Sequence, residues 1–100
     1  MNHGLSESAV QRIREVLARH PDVEKAVLYG SRAKGTHHPG SDIDLTLRGK
    51  HLDHALLTLI ENELDDLMLP ERIDLSLFET LTHPALIDHI RRVGVTLYEL

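Results

Sequence analysis

A length of one hundred residues, with 41% hydrophobic and 27% charged content, describes one ordinary globular domain covering residues 1–100, with room for a core but none for a second domain. A net charge of -5, 3% aromatics and no cysteine argue against an extended nucleic-acid surface and exclude disulfides and thiolate metal sites. No apolar run is long enough to span a membrane, and Met1 to Gly4 lacks the basic and apolar regions of a signal peptide, so the cytoplasm is the expected location.

In chain order, Leu5 to His20 has helical spacing. Ser6 is placed to cap it, and Val10, Ile13, Val16, Leu17 and His20 share one face before Pro21 ends it. Val23 to Tyr29 is a predicted strand, and its run Ala26-Val27-Leu28-Tyr29 suits burial on both faces. Gly30 to Ser41, with three Gly and one Pro, reads as a loop opening with one helical turn. Asp42 to Arg48 alternates as a strand, with Ile43, Leu45 and Leu47 on one side and Asp42, Asp44 and Thr46 on the other.

Leu52 to Met68 is a predicted helix burying Leu52, Leu56, Leu59, Ile60, Leu64 and Leu67, and Pro70 breaks it. Arg72 to Phe78 is a third alternating strand, with Asp74 and Ser76 opposite Ile73, Leu75 and Leu77. Pro84 opens a last helix with Leu86, Ile87, Ile90 and Val93 as its core stripe, and Gly94 follows its end. Val95 to Leu100 closes the chain as an edge strand.

The resulting order is α-β-β-α-β-α-β. The expected architecture is α/β (α+β), a mixed sheet of about four strands with helices packed on one face. The second and third strands are joined through a helix, which makes them parallel if adjacent. Their matching patterns, Asp44-Leu45-Thr46-Leu47 and Asp74-Leu75-Ser76-Leu77, then put Asp42, Asp44 and Asp74 on the face opposite the core.

An isolated Asp-x-Asp is ordinarily a solvated strand face. Here a Gly-Ser turn lies upstream and a third Asp sits on a matching strand. Three neighbouring carboxylates repel one another, and Mg²⁺ relieves that repulsion while accepting triphosphate oxygens. Two such ions would be bridged by Asp42 and Asp44, with Asp74 completing one site and able to help deprotonate an attacking hydroxyl.

At the turn, Gly30 allows close approach of a phosphate, Ser31 adds a hydroxyl donor, and Arg32 and Lys34 could neutralise β- and γ-phosphates. The Gly-Lys-Ser/Thr ending of a Walker loop is missing. The eight histidines, among them His37, His38, His51, His54, His83 and His89, lack the ligand spacing of a zinc site.

Gly30-Ser31, ten residues, then Asp42-Ile43-Asp44, with Asp74 on a later strand, resembles the signature of minimal nucleotidyltransferases of the DNA polymerase β superfamily. The wording Gly30-Ser31-Arg32-Ala33-Lys34-Gly35 also matches, whereas His38 stands where many relatives carry Arg. The resemblance implies a polymerase-β-like core and a Mg²⁺-dependent transfer of AMP from ATP. It makes Asp42, Asp44 and Asp74 catalytic and metal-binding, and Gly30, Ser31, Arg32 and Lys34 nucleotide-binding.

Such minimal members are commonly antitoxins paired with a helical HEPN-type toxin, whose tyrosine hydroxyl accepts the nucleotide within a hetero-oligomer. Two alternatives stand beside this. One is a non-catalytic antitoxin that inhibits by contact, and the other is a transferase acting on a small molecule or an RNA end.

Overall fold

Alternating segments and helically spaced segments resolve into one sheet with helices on it. The computed structural model describes residues 3–100. The elements are α1 (Glu7–Ala18), β1 (Lys25–Tyr29), α2 (Gly30–Lys34), β2 (Ile43–Arg48), α3 (His54–Asp65), β3 (Ile73–Leu77), α4 (Pro84–Val93) and β4 (Val95–Glu99), with a 3₁₀ turn at Phe78–Thr80.

The sheet order is β3-β2-β1-β4. β1 runs antiparallel to β2 and β4, while β2 and β3 are parallel, because α3 carries the chain back to its starting end between them. β4 lies at the edge, as expected. Among the described residues no helix is long and apolar enough to cross a membrane.

Helix α1 begins where Ser6 accepts a hydrogen bond from Ala9 N at 3.0 Å. It stops at Ala18, short of the expected His20, since the residue before a proline is driven out of helical conformation. His20 instead lies 2.7 Å from Glu63 Oε1 of α3 and ties the two helices together.

The main core joins Val10, Ile13, Val16 and Leu17 of α1 and Ile60 and Leu64 of α3 to Ala26, Leu28, Ile43, Leu45, Leu47, Leu75, Leu77 and Leu97 of the sheet. Each fully buried aliphatic chain contributes about 1.5–3 kcal/mol, so this face carries most of the stability.

Two expectations are corrected. In α3, Ile60 is buried while Leu59 is 48% exposed, because the contact stripe runs through Ile60 and Leu64 and leaves Leu59 a hundred degrees round the helix. The expectation of helices on one face holds for α1 and α3, but α4 departs from it. Ile90, with Leu86 and Ile87 beside it, packs against Val27, Tyr29 and Phe78 on the opposite side of the sheet. The cause lies in β1, whose apolar residues on both faces need cover on both faces. Helix α4 therefore shares a face with the carboxylates.

Candidate active site

The strand register assembles the polar face. Asp44 of β2 is directly paired with Asp74 of β3, and Tyr29 of β1 is paired with Asp44 from the other side. Asp42, exposed, precedes β2 by one residue. Behind the carboxylates, Ser76 donates to Thr46 Oγ1 at 2.9 Å, so the fully buried Thr46 is satisfied and the two strands are cross-linked below the acidic rim.

The carboxylates interact. Burial raises the Asp44 carboxyl above the ordinary Asp value, the negative charges of Asp74 and then Asp42 add to the rise, and His89 pulls the other way. The Tyr29 phenol is likewise raised, first by burial. Its interaction with the Ser76 side chain opposes the shift, and the charges of Asp44 and Asp74 reinforce it.

Among the described residues no three His, Asp or Glu side chains are gathered tightly enough to hold a metal ion by themselves. Mg²⁺ is held through one or two carboxylates and draws further oxygens from water and substrate phosphates. The donor set is all oxygen, and one position is cut to fit it. An added Cβ at Gly30 would lie 2.3 Å from Asp44 Oδ2, so the missing side chain is the space that the carboxylate occupies.

Gly30 sits at φ +76° and opens α2 directly from the end of β1. Lys34, the last residue of α2, is exposed and free to reach an anion. Arg32 is placed otherwise than expected. It is 3% exposed, and its guanidinium donates to Ser41 O through Nε at 3.1 Å and Nη2 at 2.9 Å, and to His3 O through Nη1 at 2.8 Å.

All three guanidinium nitrogens are thus spent on backbone carbonyls. Arg32 folds the loop between α2 and β2 back onto α2, which delivers Asp42 to the site, rather than meeting phosphate. Within that loop His38 N donates to Ser41 Oγ at 3.0 Å, closing a tight turn before Asp42.

Two neighbours of the site went unassigned in the sequence. His89 of α4 accepts a hydrogen bond from Gly30 N at 3.1 Å, and its ring meets Tyr29 edge-on with centroids 6.2 Å apart. Both carried a signal. Tyr29 directly precedes the Gly-Ser turn, and His89 falls on the inner stripe of α4, three residues after Leu86 and four before Val93.

The chain matches the family described as polymerase beta, nucleotidyltransferase, over residues 11–100. It belongs to that family. The matched span contains the Gly-Ser turn and all three carboxylates. No curated protein matches the sequence significantly.

Among solved structures, the chain resembles one chain of a toxin-antitoxin crystal structure with AMP-PNP, at 22% identity and TM-score 0.74, covering 91% of this chain and 73% of that one. It resembles one chain of a structure of the toxin-antitoxin MntA-HepT at 18% identity and TM-score 0.71, covering 95% of this chain and 74% of that one. It is also similar to a structure of tri-AMPylated Shewanella oneidensis HEPN toxin in complex with MNT antitoxin, at 17% identity and TM-score 0.71, covering 96% and 74%. These identities establish a shared fold.

Proposed function

We propose that this nucleotidyltransferase family member moves AMP from ATP to a tyrosine hydroxyl of a helical HEPN-type toxin in the cytoplasm, and so acts as its antitoxin. The observation that carries the proposal is the facing pair Asp44 and Asp74, with Asp42 beside them and the side-chain-free Gly30 against Asp44. The fold neighbours lend support, since they come from toxin-antitoxin pairs, one with AMP-PNP and one with an AMPylated toxin.

In this reading Asp42, Asp44 and Asp74 would hold Mg²⁺, which would neutralise charge developing on the phosphates. The acceptor oxygen attacks the α-phosphorus, the new O–P bond forms, and the bond to the β-phosphate oxygen breaks, releasing pyrophosphate. Asp74, on the strand beside Asp44, would help take the phenolic proton.

Ser31 and the turn after Gly30 receive phosphate oxygens. With Arg32 engaged on carbonyls, Lys34 is left to steady the departing pyrophosphate. Tyr29 and Ser76 form the floor beneath the carboxylates.

Neutralisation of the toxin by Asp42→Asn and Asp44→Asn variants separates catalysis from contact. The proposal requires both variants to bind the toxin and fail to silence it. Full neutralisation by variants that have lost nucleotide transfer would assign inhibition to contact.

A further inference from the structure

The site face carries a histidine that lies outside the carboxylate and phosphate machinery. His89 Nε2 accepts the Gly30 N–H at 3.1 Å, and acceptance at Nε2 places the ring's proton on Nδ1. The ring is held on a second side by the edge of Tyr29, with centroids 6.2 Å apart at 80°. Helix α4 is in turn fixed by Ile90, the next residue, packed among Val27, Tyr29 and Phe78.

The acceptor is therefore delivered by a rigid element to one chosen peptide. That peptide is the one whose α-carbon faces Asp44 Oδ2 at a distance that leaves no room for a side chain. Any rotation of the Gly30 peptide moves both the wall against which Asp44 rests and the turn that begins at Ser31.

We propose that His89 is a positioning residue: by holding the Gly30 peptide it sets where the Asp44 carboxylate and the Ser31 turn stand when Mg²⁺ and nucleotide bind. The inference rests on the nucleotidyltransferase reading of this site. A histidine serving only to attach α4 would lend stability and nothing else, since the apolar contacts of Ile90, Leu86 and Ile87 already dock the helix. A positioning histidine affects the reacting geometry, where misplacement on the ångström scale is felt steeply.

The test compares His89→Leu, which keeps apolar volume without an acceptor, with His89→Gln, whose amide oxygen reaches about as far as Nε2. In the transfer reaction, His89→Leu should lower kcat on the order of tenfold or more, with a smaller change in KM for Mg²⁺-ATP. His89→Gln should return kcat to within about threefold of wild type.

Amide hydrogen exchange supplies a readout that does not depend on activity. Gly30 should exchange faster in His89→Leu and regain protection in His89→Gln, while the Val27 to Tyr29 amides stay protected in both. Equal kcat values in wild type and His89→Leu would overturn the proposal. So would a His89→Gln as impaired as His89→Leu, or a loss of protection spread equally over β1. If the wild-type protein transfers no nucleotide, the functional reading falls. Mg²⁺ with AMP-PNP then tests positioning by itself, with weaker binding in His89→Leu and recovery in His89→Gln required.

Discussion

Replacing Gly30 with alanine would put a methyl group 2.3 Å from Asp44 Oδ2 on a backbone held at φ +76°. Two costs follow, and they can be measured apart. A side chain in the left-handed region costs about 1–2 kcal/mol. In a domain of this size each kcal/mol lowers Tm by about 4–8 °C, so backbone strain alone should cost roughly 4–16 °C. The second cost is local. Cβ atoms essentially never approach a heavy atom within 3.0 Å, so the Asp44 carboxylate must retreat from its place beside Asp74.

A displacement on that scale is worth on the order of a hundredfold in transfer rate. Gly40 provides the control, because it has φ +89° and an added Cβ there meets nothing within 4 Å. Gly40→Ala should show a similar loss of Tm and keep Mg²⁺-nucleotide binding and transfer. Thermal unfolding followed by circular dichroism, with a transfer assay on both variants, reads the two costs. A Gly30→Ala protein that transfers as well as Gly40→Ala would refute the close approach of Asp44 to Gly30.

The raised Asp44 carboxyl fixes a pH dependence. The folded state keeps this proton to higher pH than the unfolded chain, so in metal-free protein stability falls as pH rises through the interval between the two titrations and stays lower above it. Asp44→Asn should therefore unfold at a higher temperature than wild type near neutrality, with the gap closing in acid. The same variant should lose the stabilisation that Mg²⁺ with AMP-PNP gives to wild type.

Arg32→Lys keeps the charge but cannot supply the planar fork that reaches Ser41 O and His3 O together, and should cost about 3 kcal/mol or more in urea unfolding. Faster exchange should be confined first to residues 35–41. On α3, Leu59→Lys should change stability by no more than about 0.5 kcal/mol, while Ile60→Ala should cost about 2–5 kcal/mol. Equal losses at the two positions would place the helix in a different rotation.

Much of the site was legible because period two is a strong constraint. Once Ile43, Leu45 and Leu47 are assigned to the core, Asp44 has only one face left, and the parallel crossover through α3 brings Asp74 into line with it. The starts of α1 and α4 were equally readable, since Ser6 caps one and Pro84 opens the other, whereas Gly94 ends α4 at φ -59° and is needed for space, an added Cβ lying 2.3 Å from Ile90 O.

What escaped is decided by tertiary partners. Helical spacing in α4 shows that one stripe is buried but not which side of the sheet receives it. The doubly apolar β1 was the clue that the second face needed a cover. Arg32 beside a Gly-Ser turn has the residue type of a phosphate ligand, and only the return of Ser41 O toward α2 shows that the guanidinium is consumed by the loop itself. Leu59 satisfied the same spacing as Ile60, and its exposure is set by the rotation of α3, whose contact stripe runs through Ile60 and Leu64.

The central claim is that the three carboxylates serve a nucleotide transfer to a protein acceptor. Its most direct test is the intact mass of both chains after incubating this protein with a HEPN-type toxin that it binds, ATP and Mg²⁺. The account predicts that the partner gains mass in whole AMP units, that this protein does not, and that Asp42→Asn abolishes the gain. A stable complex in which both masses stay unchanged would contradict it.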